Sequence, residues 1–424
     1  MGIAGWLPYG FGEGIMLKVS QTCFAALLWV ACGALAADSI RMGLIEPLSG
    51  AFAYQGNAAV HMFQMLIEDI NAKAGVLGGT KLELVAFDNK GSPQESLLAL
   101  KQVVDQGIRV ILQASGSHNA HALSEAVTKH NGRDPDHSIL YLNFGSVDTA
   151  LTNEKCSFWH FRFDSNVDMK LAAMTTYMAT QKNVHSVYLI NQDYAYGQTV
   201  SRVGREMIAT KRPDVVIAGD ELHPIGKIKD FAPYISKIKA SGADTVLSGN
   251  WGNDLALLIK SAADVGLPAT FYTNYAYLTG TPKAIGKAGD GRVKTVLAWH
   301  INIAGDPLVP FALRFKQRYN EDFIFLPART AFDMWVAAIE RAGTPDPLKV
   351  ALALENMRHQ GPTGELWMRP DDHQLQQPLY IATFTKAGGD VKYDLEDTGY
   401  GFRTDMRIEA KDTTLPTTCK MERP

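Results

Sequence analysis

The sequence has almost nothing with which to make or break bonds. It contains no Gly-x-Ser-x-Gly elbow, no Walker loop and no Gly-x-Gly-x-x-Gly fingerprint, which removes the familiar hydrolase, nucleotide and dinucleotide signatures. His118 and His121 are spaced to share a helix face, but no Cys, His or acid cluster completes a metal site. Asp371-Asp372-His373 follows Pro370 and reads as a turn. Charge of either sign is not in excess: 41 Lys and Arg stand against 44 Asp and Glu, for a formal net charge of −3. That balance leaves no basic footprint for nucleic acid. Low-complexity linkers, solenoid repeats and charge blocks are also missing, and no run outside the N-terminus approaches the ~20 apolar residues a bilayer requires.

What is there begins with an export signal. Lys18 precedes the apolar run Cys23–Ala31, and Ala34-Leu35-Ala36-Ala37 supplies an Ala-x-Ala cleavage site. The reading is a signal peptide over 1–36, cleaved after Ala36, with Met16 a better start than Met1. A buried N-terminal helix is the alternative. Cys32 follows Val30 and Ala31 as in a lipid-attachment box, although Trp29 is large for one. Cleavage removes Glu13 and Lys18 together, so the charge stays at −3. Of four cysteines, Cys156 and Cys419 remain, and an oxidising compartment favours one disulfide over two free thiols.

The remaining length suits two domains. Strands and helices alternate, as in α/β layering. Strands are predicted at 40–44, 82–88, 110–112, 139–142, 187–190, 215–217, 245–248 and 271–273. Helices are predicted at about 57–73, through 97–104 and 123–127, at 198–210, at 231–240 and from Asn253. Ser92-Pro93-Gln94-Glu95 predicts a capping box. The expected fold class is α/β, with two doubly wound parallel-sheet lobes in series.

Ligands in such sheets sit outside the carboxyl ends of the strands. That rule selects the turns at 47–56, 113–118, 143–147, 191–197, 248–253 and 273–277, three from each lobe. The first carries Tyr54 and Gln55. The turn at Gln113–Asn119 joins a buried strand to a helix through small residues. It either exposes backbone N–H groups to a carboxylate, helped by Ser115 and Ser117, or is an ordinary turn. The selected turns are also aromatic: Tyr54, Phe144, Tyr194, Tyr196, Trp251, Tyr275 and Tyr277. About half of these are expected to stack a planar or apolar ligand, the rest to be core.

Gly43-Leu44-Ile45-Glu46-Pro47-Leu48-Ser49-Gly50, Asp69-Ile70-Asn71-Ala72 and Tyr196-Gly197 together resemble the branched-chain amino acid (leucine/isoleucine/valine) binding proteins of ABC importers, which are type I periplasmic binding proteins. The resemblance runs to about residue 385. It implies a three-stranded hinge, one lobe from 38–160 plus 300–360, a second from 161–299 plus 361–385, and a C-terminal extension over 386–424. It implies a monomer that binds a small molecule without catalysis or cofactor and hands it to an inner-membrane permease. The carboxylate-binding turn falls on Ser115, Gly116 and Ser117, and a second contact segment on Gly145, Ser146 and Val147. The ligand-packing tyrosine falls on Tyr196, with a further aromatic at Trp251.

Two departures from the pattern matter. Val147 stands where a hydroxyl helps bind the carboxylate, and Tyr275, beside Asn274, stands where an acid takes the amino group. Asp254, the nearest local acid, opens a helix and reads as a cap. A buried ammonium without a carboxylate is costly, so an aromatic or other organic acid is expected ahead of a branched-chain amino acid. A ligand-sensing subunit of a signalling system is the alternative function. A repressor would need a helix-turn-helix where this chain has a signal.

Overall fold

The structure is a computed structural model that describes residue 1 and residues 39–424. The expected signal segment, Met16 and Cys32 included, otherwise lies outside the described residues. The first sheet is built from β1 (Ile40–Glu46), α1 (Ala53–Ala72), β2 (Leu82–Asp88), α2 (Pro93–Asp105), β3 (Val110–Gln113), α3 (Ser117–Arg133), β4 (Leu140–Asn143) and β5 (His160–Arg162). Its strands run in the order β2-β1-β3-β4-β5, all parallel. Burial on both faces explains the unbroken apolar run of β3, every residue of which is buried.

The chain then crosses to α4 (Val167–Ala179), β6 (Ser186–Gln192), α5 (Ala195–Lys211), β7 (Val216–His223), α6 (Ala232–Ser241), β8 (Thr245–Ser248), α7 (Gly252–Asp264), β9 (Thr270–Thr273), α8 (Thr281–Ile285) and β10 (Val293–Leu297). It returns for α9 (Val309–Tyr319), α10 (Leu326–Ala342) and α11 (Pro347–Leu354), and α9 and α10 pack on α1. A small antiparallel sheet follows, of β11 (Arg358–Gly361), β12 (Gly364–Met368) and β13 (Leu375–Gln376). The last elements are β14 (Leu379–Lys386), β15 (Tyr400–Ile408) and α12 (Ala410–Thr413).

The second sheet runs β15-β14-β10-β9-β8-β6-β7. It departs from the sequence reading in two ways. β14 and β15 pair antiparallel, so the sheet is mixed rather than purely parallel. Residues 400–408, expected in an extension beyond the lobes, form its edge strand: Tyr400, Phe402 and Ile408 turn toward β14 and the core. The capping box at α2 also does not form. Ser92 makes no side-chain cap, its hydroxyl meets Gln94 Oε1 at 3.1 Å, and Glu95 pairs with Lys90 instead.

Three passages join the two lobes, after β5, after β10 and before β14. The first and third lie side by side. Arg162 N–H donates to the His373 carbonyl (2.9 Å), Gln374 Nε2 to the Asp164 carbonyl (2.9 Å), and Gln377 Nε2 to the Phe163 carbonyl (3.0 Å). The Arg162 side chain is wholly buried here. It donates to Gln374 Oε1 (2.6 Å), the Asp148 carbonyl (2.5 Å) and Thr152 Oγ1, and burial pulls its pKa down to about 10, which leaves it charged at neutral pH.

Cys156 and Cys419 are disulfide-bonded, 263 residues apart. The tail is held there also by Thr417 Oγ1 on the Thr152 carbonyl (2.9 Å) and by Thr418 N–H on Asn153 Oδ1 (2.8 Å). Long closed loops lose the most unfolded-state entropy, so Cys156→Ser should destabilise the chain by about 2–4 kcal/mol. A fall in the urea midpoint, with an m-value that rises as the unfolded chain expands, is the expected readout.

Candidate functional site

Both sheets place a strand with neighbours on either side at their switch point: β1 between β2 and β3, and β6 between β7 and β8. The loops leaving these strands must diverge, because the following helices cover opposite faces, and that divergence opens a crevice. The two crevices face each other. Between them lies a cavity lined by both lobes.

Its first-lobe wall is the end of β1 (Glu46), one face of α1 (Gln55, Ala58, Ala59, Met62), the turn Ala114–Ser117, and Phe144–Val147. Ile324 and Phe325, which precede α10, complete that side. Tyr194, Tyr196, Trp251, Tyr275, Leu278 and Thr279 form the second-lobe wall. Of the residues predicted from sequence, Gln55, Ser115, Gly116, Ser117, Phe144, Gly145, Ser146, Tyr194, Tyr196, Trp251 and Tyr275 all meet here.

Three residues picked out in the sequence do not. Tyr54 is half exposed, since positions 55, 58, 59 and 62 share one helix face and 54 lies off it. Its ring instead covers Gly280, at the rim. Asn274 is buried behind the wall, where its Nδ2 donates to the Tyr196 hydroxyl (2.8 Å) and so fixes that ring. Tyr277 is likewise behind the wall, stacked on Phe325 with ring centroids 6.3 Å apart.

Gly116 bears a positive φ of 88° and caps α3, which opens the N–H groups at the start of that helix. Gly197 permits the corresponding approach in the second lobe, because a Cβ there would lie 1.9 Å from the Gln192 carbonyl oxygen. The sequence reading missed Glu46, the last residue of β1. Its carboxylate accepts from the N–H groups of Ala114 and Ser115, the latter at 3.1 Å. The other oxygen, Oε2, is buried without a partner. Loss of hydration pushes the Glu46 pKa up to about 7, against the lowering effect of its hydrogen bonds. No Lys, Arg or His side chain lines the cavity.

Contacts across the cleft hold the lobes together. Phe52 stacks on Trp251 with centroids 4.2 Å apart, and the Trp251 indole N–H donates to the Tyr194 hydroxyl (2.8 Å). Thr199 Oγ1 donates to Asp148 Oδ1 (2.8 Å) and Gln55 Nε2 to the Thr279 carbonyl (3.2 Å). The Tyr275 hydroxyl lies 3.2 Å from Asp164 Oδ2 and 3.4 Å from the Gly145 carbonyl. Asp254 sits outside the cavity, where its Oδ2 accepts from Gln192 Nε2 (2.7 Å) and Gly226 N–H (2.8 Å). His118 approaches the Gly91 carbonyl (3.1 Å) and His121 approaches Asp148 (2.5 Å). Among the described residues no group of three or more His, Cys, Asp or Glu could hold a metal ion.

With this geometry in view, a family profile described as periplasmic binding protein matches residues 39–390. The chain belongs to the periplasmic binding protein family. This periplasmic binding protein is similar to Leu/Ile/Val-binding protein homolog 4 of Brucella abortus (strain 2308), at 30% identity over 97% of this chain and 99% of the relative. Its fold matches the crystal structure of the leucine-, isoleucine-, valine-, threonine-, and alanine-binding protein from Brucella ovis in a closed conformation. There the TM-score is 0.83 and the identity 29%, with 92% of this chain and 100% of the other covered. A solute-binding protein of an ABC transporter from R. palustris, solved with 4-hydroxybenzoate, shares the fold at TM-score 0.75 and 19% identity, covering 88% and 97%. Such family members bind small solutes for ABC transporters, so the chain is a solute-binding protein and not an enzyme.

Proposed function

We propose that this chain is the periplasmic capture subunit of an ABC importer, exported by its N-terminal segment and working as a monomer. It closes two lobes over a small ligand that carries a carboxylate on an apolar or planar body. The observation that carries this reading is a cavity walled by the switch-point loops of both sheets. At one end, the open N–H groups of α3 and the Ser115 and Ser117 hydroxyls suit a carboxylate. At the other, four aromatic side chains, Tyr194, Tyr196, Trp251 and Tyr275, suit the body. The ligand docks on the first lobe, the second swings over it, and the permease reads the closed surface.

Two carboxylates fit this description. Aromatic and other organic acids are favoured by the ring-lined wall. Hydrophobic amino acids are favoured by the names of the relatives at 30% and 29% identity. A thermal-shift screen of both sets tests the reading, since a ligand at 100 times its Kd adds about 2.7 kcal/mol of stability. A screen in which no carboxylate raises Tm would reject it. Within the same screen, Ala58→Phe should abolish the shift, because its ring would enter the space the ligand needs.

A further inference from the structure

The cavity holds one ionisable acid, no base, and an unpaired carboxylate oxygen. We propose that Glu46 takes the positive charge of the ligand, so that the site is built for a hydrophobic or aromatic α-amino acid zwitterion. This rests on the reading that the cavity is the ligand site, and it goes further by naming the group that selects the ligand.

The argument is one of charge placed side by side. Glu46 ends β1 and the turn Ala114–Ser117 follows β3, its neighbour in the sheet. One Glu46 oxygen uses the N–H groups of Ala114 and Ser115. That leaves Gly116 and Ser117, at the start of α3, to offer theirs to the ligand's carboxylate. The remaining Glu46 oxygen has no protein partner, and Glu46 lines the same wall of the cavity as Gly116 and Ser117. An α-amino acid carries its ammonium and carboxylate on one carbon, and so presents its two charges side by side. A simple carboxylate would instead meet the Glu46 carboxyl beside that turn, with no Lys, Arg or His among the described residues of the wall to offset it. The expectation that the amino group lacks an acid came from Tyr275 alone. The first lobe supplies an acid from the opposite wall.

On the opposite wall Lys170 and Asp164 pair with each other behind Tyr275. Tyr141 of β4 adjoins Glu46, and Tyr194, Tyr196 and Tyr275 line the cavity. Burial raises all four hydroxyl pKa values, so they remain neutral. No charged neighbour contributes to the Glu46 shift, which is a solvation effect opposed by hydrogen bonds. Empty, the group is half protonated near pH 7. An arriving ammonium drives the proton off. Amino-acid binding should then release close to one proton at pH 6 and almost none at pH 8, with affinity rising about tenfold across that interval.

The experiment is isothermal calorimetry in buffers of different ionisation enthalpy. The probes are L-leucine and L-phenylalanine, with their deaminated counterparts 4-methylpentanoate and 3-phenylpropionate. Wild type is compared with Glu46→Gln, which keeps the shape and the acceptor for Ala114 and Ser115. The expected result is proton release with an amino acid and a loss of its affinity of at least about thirtyfold in Glu46→Gln. The variant should lose its preference over the deaminated acid. Folding is controlled independently. At pH 4.5 the folded Glu46 carboxyl is protonated and the unfolded one only partly ionised, whereas at pH 8 both are ionised and the folded one has lost its hydration, so the ligand-free variant should lie close to wild type in Tm at pH 4.5 and exceed it at pH 8. Wild type binding the deaminated acids as tightly as the amino acids, or taking up protons on binding, would overturn the role of Glu46 and leave the ligand site standing. Failure of all four probes to bind would remove the reading of the site itself.

Discussion

Lys170→Met is expected to destabilise the protein by about 3–5 kcal/mol, the largest loss we predict for any single substitution. Lys170 Nζ and Asp164 Oδ1 are 2.9 Å apart, and both side chains are essentially without solvent contact. Removing the ammonium leaves a buried carboxylate alone at the first passage between the lobes. Desolvation already raises the Asp164 pKa, with Lys170 pulling it back. Without Lys170 it rises further. A carboxyl whose folded pKa is raised opposes folding when ionised, so the deficit should shrink as pH falls and Asp164 takes up a proton. The double variant Lys170→Met/Asp164→Asn should recover most of the loss. Urea midpoints at pH 5 and pH 8 measure all of this. A single variant as stable as wild type at both would remove the pair from the account. The pair also reaches the site: Lys170 Nζ lies 4.9 Å from the Tyr275 ring centroid, and Asp164 meets the Tyr275 hydroxyl.

Trp251→Ala should weaken ligand binding by at least about thirtyfold, mainly through faster release. Trp251 serves twice. Its ring lines the cavity, and it is the face on which Phe52 of the opposite lobe stacks in the closed state. Buried aromatics with a satisfied N–H, as here with the Tyr194 hydroxyl, concentrate binding energy. Phe52→Ala removes the stack but not the wall, so it should raise the off-rate less. Stopped-flow release rates for the two variants separate the contributions, and equal rates in both and in wild type would contradict them.

The parts of this site legible in the sequence were those set by strand ends. An apolar run such as Val110–Leu112, or the short apolar centre of Thr245–Ser248, announces a buried parallel strand, and the small or aromatic residues after it must then face the crevice. Helical phase was harder. Tyr54 and Gln55 are adjacent in sequence but on different faces of α1, and the helix starts earlier than the apolar pattern shows. Glu46 went unread because it closes an apolar strand and looks like its polar end; counting the last strand residue as part of the loop would have found it. Asn274 was placed in the site by its position, whereas its amide serves Tyr196 from behind. The short strands β11 and β13 carry no apolar run, and β15 mixes Arg, Thr and Asp among its core residues, so none of them gave a period to read.

The central claim is that two lobes close on a ligand held between their switch-point loops. Small-angle X-ray scattering with and without a saturating ligand from the thermal-shift screen tests it most directly. The account predicts a fall in radius of gyration on binding that Ala58→Phe fails to show. A ligand that saturates the protein calorimetrically while the scattering curve stays unchanged would contradict it.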